Sequence, residues 1–178
     1  MKYTLKNADT VNIRQPRPDD AAEIIEVFKL ADTETRFLGR NPGEFNFSIE
    51  SERKLIEDIL TDNNRVWYLP EYRGKIVGQC AANIVRNNER FLHRASLGFV
   101  LLKEYWNLGI GSAMMEECLA WCREHKIELV HIEVVTQNGK AIGLYKKYGF
   151  EIIGTTPHAL KYPDGTYADE YLMVKQMY

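Results

Sequence analysis

The segment Tyr105–Met115 places two glycines, Gly109 and Gly111, between an apolar run and an amphipathic helical pattern. The first N–H groups of a helix have no partner within the helix, and the helix dipole adds partial positive charge there. Glycine lets an anionic oxygen approach such a backbone closely. The spacing therefore predicts either an anion-binding turn, suited to a phosphate, or a tight strand-to-helix connection that binds nothing.

Two better-known phosphate motifs do not fit this turn. A P-loop requires lysine and then serine or threonine after its last glycine, whereas Gly111 is followed by Ser112 and Ala113. A dinucleotide-binding fingerprint requires a third glycine at the position that Met114 occupies. The glycine pair alone therefore does not identify its ligand.

Apolar periodicity predicts the elements that hold this turn in place. Strands and helices alternate in the second half of the chain, after a hairpin in the first half, which predicts an α/β or mixed α+β fold around one mixed sheet. A chain of 178 residues fits one domain, so we expect residues 1–178 to form a single unit. Strands are expected at 11–15, twice within 65–86, and at 93–102, 128–136, 150–156 and 167–175, and helices within 17–36, after Ser48, and at 110–125 and 138–150.

Composition excludes several classes of protein. The formal net charge is -2, with 45% hydrophobic and 27% charged residues, so no nucleic-acid partner is indicated. The N-terminal residues lack the apolar core of a signal peptide, and no stretch approaches the roughly 20 apolar residues that span a bilayer. We therefore expect a cytoplasmic protein with no membrane partner.

The three cysteines are expected to be reduced thiols. Cys118, Cys122 and His125 lie at i, i+4 and i+7 of one predicted helix, a spacing that permits a metal site. The same helix face carries apolar residues, and free cysteine behaves as a small core residue, so we expect no metal. Cys80 has no histidine placed beside it and is a poor candidate for an acyl-carrying nucleophile.

Two segments together resemble the GNAT superfamily of acyl-CoA N-acyltransferases. Gly109 and Gly111 match the pyrophosphate-binding signature of that family, although Trp106 stands where glutamine or arginine is commonest. The resemblance extends from about Val11 onward and implies a central mixed, partly splayed β-sheet flanked by about four helices. The second segment matches through Asn138, Ala141, Ile142, Leu144, Tyr145, Gly149 and Phe150.

The resemblance implies a binding site for acetyl-CoA as co-substrate. Main-chain groups of Phe99, Val100 and Leu101 would pair with the pantetheine arm like an added strand, and Asn138 would bind the same arm from the facing strand. Tyr145 would lie near the thioester. The turn that would cradle the pyrophosphate consists of Trp106, Asn107, Leu108, Gly109, Ile110, Gly111 and Ser112.

Acetyl transfer to an amine needs a proton acceptor for the amine, a donor for the oxyanion and a proton for the departing thiolate. The resemblance makes Tyr145 the general acid, and its alternative role is that of a core tyrosine. Glu133 is either the general base or a structural carboxylate, and its apolar strand should raise its pKa by desolvation. A backbone N–H near Val100, at a strand bulge, would bind the oxyanion.

The predicted function is an N-acetyltransferase that moves the acetyl group of acetyl-CoA directly to a primary amine of a small molecule, peptide or protein. A non-catalytic acyl-CoA sensor or scaffold on the same fold is the alternative, and a protein-interaction domain without a coenzyme site is a third. Asp32, Glu34 and Glu44 either attract a cationic amine or are surface charges. The strand within 167–175 either completes the sheet or pairs two copies in a homodimer.

Overall fold

The computed structural model describes residues 1–178, and its framework is one nine-stranded sheet. The strands are β1 (Lys2–Thr4), β2 (Thr10–Arg14), β3 (Arg65–Tyr72), β4 (Lys75–Ile76), β5 (Gly78–Ile84), β6 (Arg94–Leu101), β7 (Leu129–Val135), β8 (Glu151–Lys161) and β9 (Tyr167–Gln176). The helices are α1 (Ala21–Glu34), α2 (Ile49–Thr61), α3 (Ile110–Glu124) and α4 (Gly139–Lys147). None of these helices is both long and apolar enough to cross a bilayer.

The sheet is mixed, as the sequence predicts. Its strand order is β1-β2-β3-β5-β6-β7-β9-β8, with β4 paired to β3. β6 and β7 pair in parallel, and the other neighbours are antiparallel. The C-terminal β9 lies between β7 and β8, so it completes the sheet and leaves no free edge of its own for a second copy.

Two hydrophobic clusters hold the central strands from opposite faces. The larger cluster packs α3 against the sheet and contains all three cysteines, each of them buried. The smaller cluster packs α1 and α2 on the other face, around Ile24, Phe28 and Ile56. His125 does not join the cysteines, because its ring stacks on Trp121 with 4.1 Å between centroids. Cys118 and Cys122 are therefore core residues, and no group of three metal-ligating side chains forms.

The sheet is splayed between β6 and β7. Their pairing covers only three positions, from Arg94 opposite Leu129 to Ser96 opposite His131. Beyond these positions β6 continues along β5 as far as Leu101, while β7 continues along β9. Each strand thus keeps an antiparallel partner on its outer side, and the two strands separate into a V-shaped gap.

Gly78 permits the close approach of β5 to the end of β6 that borders this gap. A Cβ atom built at this position would collide with the backbone carbonyl oxygen of Val100, which is held by strand pairing. Gly98, farther back on β6, has no such neighbour, since a Cβ built there meets no atom within 4 Å. Replacing each glycine with alanine therefore separates the effect of this steric contact from the general effect of removing a glycine from a strand.

We expect Gly78→Ala to lower the free energy of unfolding by about 1–3 kcal/mol, because the strands must shift apart. Gly98→Ala should change it by less than about 0.5 kcal/mol. Urea denaturation of both variants measures the difference. Equal losses in the two variants would contradict the steric explanation.

Candidate active site

The gap between β6 and β7 opens into a cavity of about 460 Å³. Its walls come from the two strand edges, the glycine turn, the start of α4 and the loop after α1. Eleven of the thirteen predicted site residues line this cavity: Phe99, Val100, Leu101, Trp106, Asn107, Gly109, Gly111, Ser112, Glu133, Asn138 and Tyr145. The other two, Leu108 and Ile110, do not line it, and the Ile110 side chain is fully buried in the core.

The glycine turn carries a run of backbone amides without partners. The first hydrogen bonds of α3 run from Ser112 and Ala113 to the Gly109 carbonyl, at 3.0 and 3.2 Å. None of the N–H groups of residues 107–111 donates to another backbone group, and no side chain caps the helix. Asn107 and Gly109 adopt positive φ angles of 66° and 104°, as in the concave nests that bind anions. The turn therefore fits a diphosphate.

The gap-facing edge of β6 exposes unpaired backbone groups. At the two ends of the β5–β6 pair, the Val85 N–H donates to the Arg94 carbonyl and the Leu102 N–H donates to the Val77 carbonyl. In an antiparallel pair, the backbone groups of successive residues point alternately toward the partner strand and away from it. The even-numbered residues of β6 therefore bond β5, and the backbone groups of the odd-numbered residues face β7. Phe99 thus presents its N–H and carbonyl to the gap, where β7 is too far away to receive them.

Val100 does not have the predicted role. The β5–β6 register is continuous from Gly78–Leu101 to Ile84–Ala95, so the strand carries no bulge at Val100. Its backbone groups are directed to β5, so the predicted bulge and the predicted pairing of the Val100 main chain with a ligand in the gap are both wrong. The N–H groups of its two neighbours, Phe99 and Leu101, are directed into the gap, and an oxyanion donor near Val100 stays a prediction.

Tyr145 combines core packing with an unsatisfied hydroxyl. Its ring lies 6.0 Å from the rings of both Phe99 and Phe150, and the residue is 6% exposed. Its hydroxyl has no hydrogen-bond partner in the protein, and the residue lines the cavity. Burial raises the pKa of this phenol, because the phenolate would lose its hydration. The group therefore remains a proton donor at neutral pH.

Asn138 both caps a helix and lines the cavity. It is the N-cap of α4, where its side-chain oxygen accepts the Ala141 N–H at 3.2 Å. Its side-chain nitrogen has no protein partner and is free to donate to a ligand. The residue thus fixes the start of the helix that carries Tyr145 while lining the same cavity.

Glu133 is exposed, so the desolvation expected from its apolar strand is absent. Pairing of Glu133 with Leu172 and of Val135 with Glu170 places both glutamates on one sheet face, as diagonal neighbours. The pKa of Glu170 is raised, first by burial and then by the negative charge of Glu133. The sequence analysis missed Glu170, because only the β7–β9 register brings the two carboxylates together.

Trp106 anchors the glycine turn to β6. Its indole N–H donates to the Leu101 carbonyl at 2.7 Å, and the Lys140 ammonium lies 4.9 Å from its ring centroid. Lys147 reaches the turn from α4, with its Nζ 3.3 Å from Ser112 Oγ. Positive charge at this end of the cavity thus comes from lysines rather than from position 106.

A second groove, of about 850 Å³, lies between the loop after α1 and the β8–β9 hairpin. Arg36 joins its two sides, because its guanidinium stacks 3.9 Å from the Tyr162 ring centroid and contacts Asp164 at 3.0 Å. The groove and the first cavity share four wall residues: Thr35, Phe37, Leu38 and Trp106. A molecule in the groove would therefore lie next to the gap.

The three carboxylates expected to attract an amine are engaged within the protein. Asp32 is fully buried at its side chain and forms an ion pair with Arg40 at 2.9 Å. Glu34 accepts the Lys103 N–H at 2.7 Å. Glu44 binds both the backbone and the side chain of Asn41. These residues shape the loop and do not form a free anionic patch.

The chain matches a known protein family. Residues 25–150 match the profile of the acetyltransferase (GNAT) family. The L-amino acid N-acetyltransferase AaaT of Escherichia coli is 38% identical over 107 residues, which span 57% of this chain and 62% of that protein. An N-alpha-acetyltransferase of Sulfurisphaera tokodaii is 28% identical over 176 residues, or 94% of each chain.

The fold agrees with the sequence comparison. The crystal structure of a GNAT-family acetyltransferase from Streptococcus pneumoniae superimposes with a TM-score of 0.87 and 29% identity. The superposition covers 93% of this chain and 99% of the other. The predicted family, mixed fold and acetyltransferase class are thereby confirmed. The chain belongs to the acetyltransferase (GNAT) family.

Proposed function

We propose that this GNAT-family acetyltransferase moves the acetyl group of acetyl-CoA directly to the α-amino group of an amino acid or a peptide. The observation that carries the proposal is the continuity of the cavity. It connects the partner-free amides of the glycine turn with Tyr145 and Glu133, and it shares a wall with the groove behind the loop after α1.

The residues that would hold the coenzyme follow the length of this cavity. The amides of residues 107–111 would bind the diphosphate. The carbonyl of Phe99 and the N–H of Leu101, both on the gap-facing edge of β6, would pair with the pantetheine arm, whose amides can satisfy them as a neighbouring strand would. Asn138 would donate to the same arm through its free side-chain nitrogen. This path leads from the turn to the hydroxyl of Tyr145.

Three groups would then manage charge during transfer. Glu133 accepts the proton of the incoming amine, directly or through a water molecule, because it is the carboxylate that lines the cavity. The Phe99 N–H faces the gap, where negative charge develops on the acyl oxygen. Tyr145 donates its proton to the departing thiolate. Cys80 takes no part, since it is buried on the α3 side with its Sγ 3.7 Å from the Met114 carbonyl.

The acceptor assignment rests on the groove and on the relatives. The groove is large enough for an amino acid or a short peptide end, and its shared wall would bring an amine to the gap. Two relatives carry the names L-amino acid N-acetyltransferase and N-alpha-acetyltransferase. Both names concern acetylation at an amino nitrogen of this kind, which supports an α-amino acceptor for this chain.

An acceptor screen that measures free thiol from acetyl-CoA tests this proposal. We expect turnover with free L-amino acids or with peptides bearing a free N-terminus, and little with polyamines. Preference for a polyamine would contradict the acceptor class. Binding of acetyl-CoA without turnover across the whole panel would favour the non-catalytic sensor.

Tyr145→Phe should lower kcat by about 10²–10³-fold, because the thiolate leaves without its proton donor. The matched control is Tyr68→Phe. Tyr68 is a second tyrosine whose pKa is raised by burial, but it does not line the cavity. The control should change kcat by less than about twofold. Similar effects in the two variants would remove Tyr145 from the mechanism.

Gly109→Glu should weaken coenzyme binding by about 100-fold in calorimetry, since its side chain carries negative charge into the anion site. Gly165→Glu is the control, because Gly165 also has a positive φ and lies at the tip of the β8–β9 hairpin. Both substitutions cause backbone strain, and only the first should affect binding. Equal affinities in the two variants would contradict the assigned turn.

Glu133→Gln should lower kcat/KM by about 10²-fold at neutral pH while leaving coenzyme affinity unchanged. Glu170→Gln should have a smaller effect, because Glu170 does not line the cavity. Steady-state kinetics over a range of pH compares the two variants. A larger loss in Glu170→Gln would place the proton acceptor on β9 instead of β7.

A further inference from the structure

The N-terminal hairpin formed by β1, β2 and residues 5–9 lies outside the family-matched residues 25–150. It is nevertheless fixed to the domain. Leu5 is buried in the larger core, and the Tyr3 hydroxyl donates to Glu117 on α3 at 2.9 Å. At the other side, Asn7 donates to the Tyr72 hydroxyl at 3.1 Å. The hairpin therefore has a defined position relative to the start of α3.

The tip of this hairpin contacts the glycine turn directly. The Lys6 N–H donates to the Leu108 carbonyl at 3.0 Å. A Cβ built at Gly109 would lie 3.9 Å from Lys6 Cγ, so the lysine side chain starts beside the turn. In a trans peptide the C=O and N–H groups point in opposite directions. Binding of the Leu108 carbonyl to the hairpin therefore turns the Gly109 N–H away from the hairpin.

Lys6 also differs from the other cations of the cavity. The cavity is lined by Lys6, Lys140 and Lys147, and its one carboxylate is Glu133. The Lys140 ammonium lies over the Trp106 ring, and Lys147 contacts Ser112 and the Tyr148 ring. Lys6 is exposed, and its ammonium has no partner within the protein. It is the lysine whose charge is uncommitted beside the unpaired amides.

We propose that the N-terminal hairpin is part of the coenzyme site and that the Lys6 ammonium binds the diphosphate of acetyl-CoA. A cation from outside the matched region thus stands in for the charged side chain that Trp106 does not provide. This inference rests on the proposed function, because it concerns the same coenzyme. It adds a residue that neither the glycine signature nor the family match contains.

Calorimetric titration of the full chain with CoA tests the inference through a matched pair of variants. Lys6→Glu should weaken CoA binding by about tenfold or more, because a charge-assisted contact is replaced by repulsion. Lys2→Glu changes the net charge equally on the same hairpin, but Lys2 does not line the cavity, and it should alter the affinity by less than about twofold. The difference should shrink at about 0.5 M salt, since exposed charges are screened.

Dephospho-CoA, which lacks the 3′-phosphate, separates the two phosphate sites of the ligand. The loss caused by Lys6→Glu should persist with dephospho-CoA if Lys6 binds the diphosphate. Disappearance of the loss with this ligand would overturn the diphosphate assignment, and so would equal affinities of Lys6→Glu and Lys2→Glu for CoA. Failure of the unaltered protein to bind CoA would instead overturn the proposed function. Thermal melting of both variants checks that the hairpin stays folded.

Discussion

The separation of β6 and β7 after three paired positions is the constraint on which this site depends. A backbone N–H or carbonyl that loses its partner in a partly buried place costs free energy comparable to a lost hydrogen bond. Phe99 on one edge and Glu133 on the other therefore face the gap with groups that an extended amide-bearing ligand can satisfy. The gap stays open because β5 and β9 hold the outer sides of the two strands.

Other polar groups without hydrogen-bond partners in the protein lie along the cavity beyond this gap. The glycine turn contributes N–H groups at a helix start, and Tyr145 contributes a buried hydroxyl that remains protonated. Both groups are held by the protein itself, because the turn is fixed between α3 and the Lys6–Leu108 hydrogen bond and Tyr145 is packed in the core. Such preorganisation is what gives fixed dipoles their effect on developing charge. The same packing that stabilises the fold thus aligns the chemistry.

The groove that we propose for the acceptor is built differently. Its loop and hairpin are joined by side-chain contacts of Arg36, and its acidic residues are engaged in holding the loop. The carboxylate that lines the cavity is Glu133, with Glu170 as its neighbour on β9. The proton affinity of Glu170 is raised by burial and by Glu133, so this corner of the sheet favours a bound proton or a cationic group. In the proposed site, the acceptor groove is thus formed by a loop and a hairpin, whereas the coenzyme cavity is formed by strand edges and helix starts.

Local patterns in the sequence were sufficient for the order of most strands and helices, for the glycine turn that opens α3 and for the segment that carries Tyr145. These features depend on periodicity and turn chemistry within about ten residues, which act before any long-range contact forms. The bulge expected near Val100 and the desolvation expected for Glu133 were wrong, because both depend on how a strand meets its neighbours. β1 was missed because three polar-flanked residues have no periodicity, and only pairing with β2 makes them a strand. Tertiary structure alone decided that Glu170 neighbours Glu133 and that Lys6 lies beside Gly109, since strand register and hairpin docking join residues far apart in the chain.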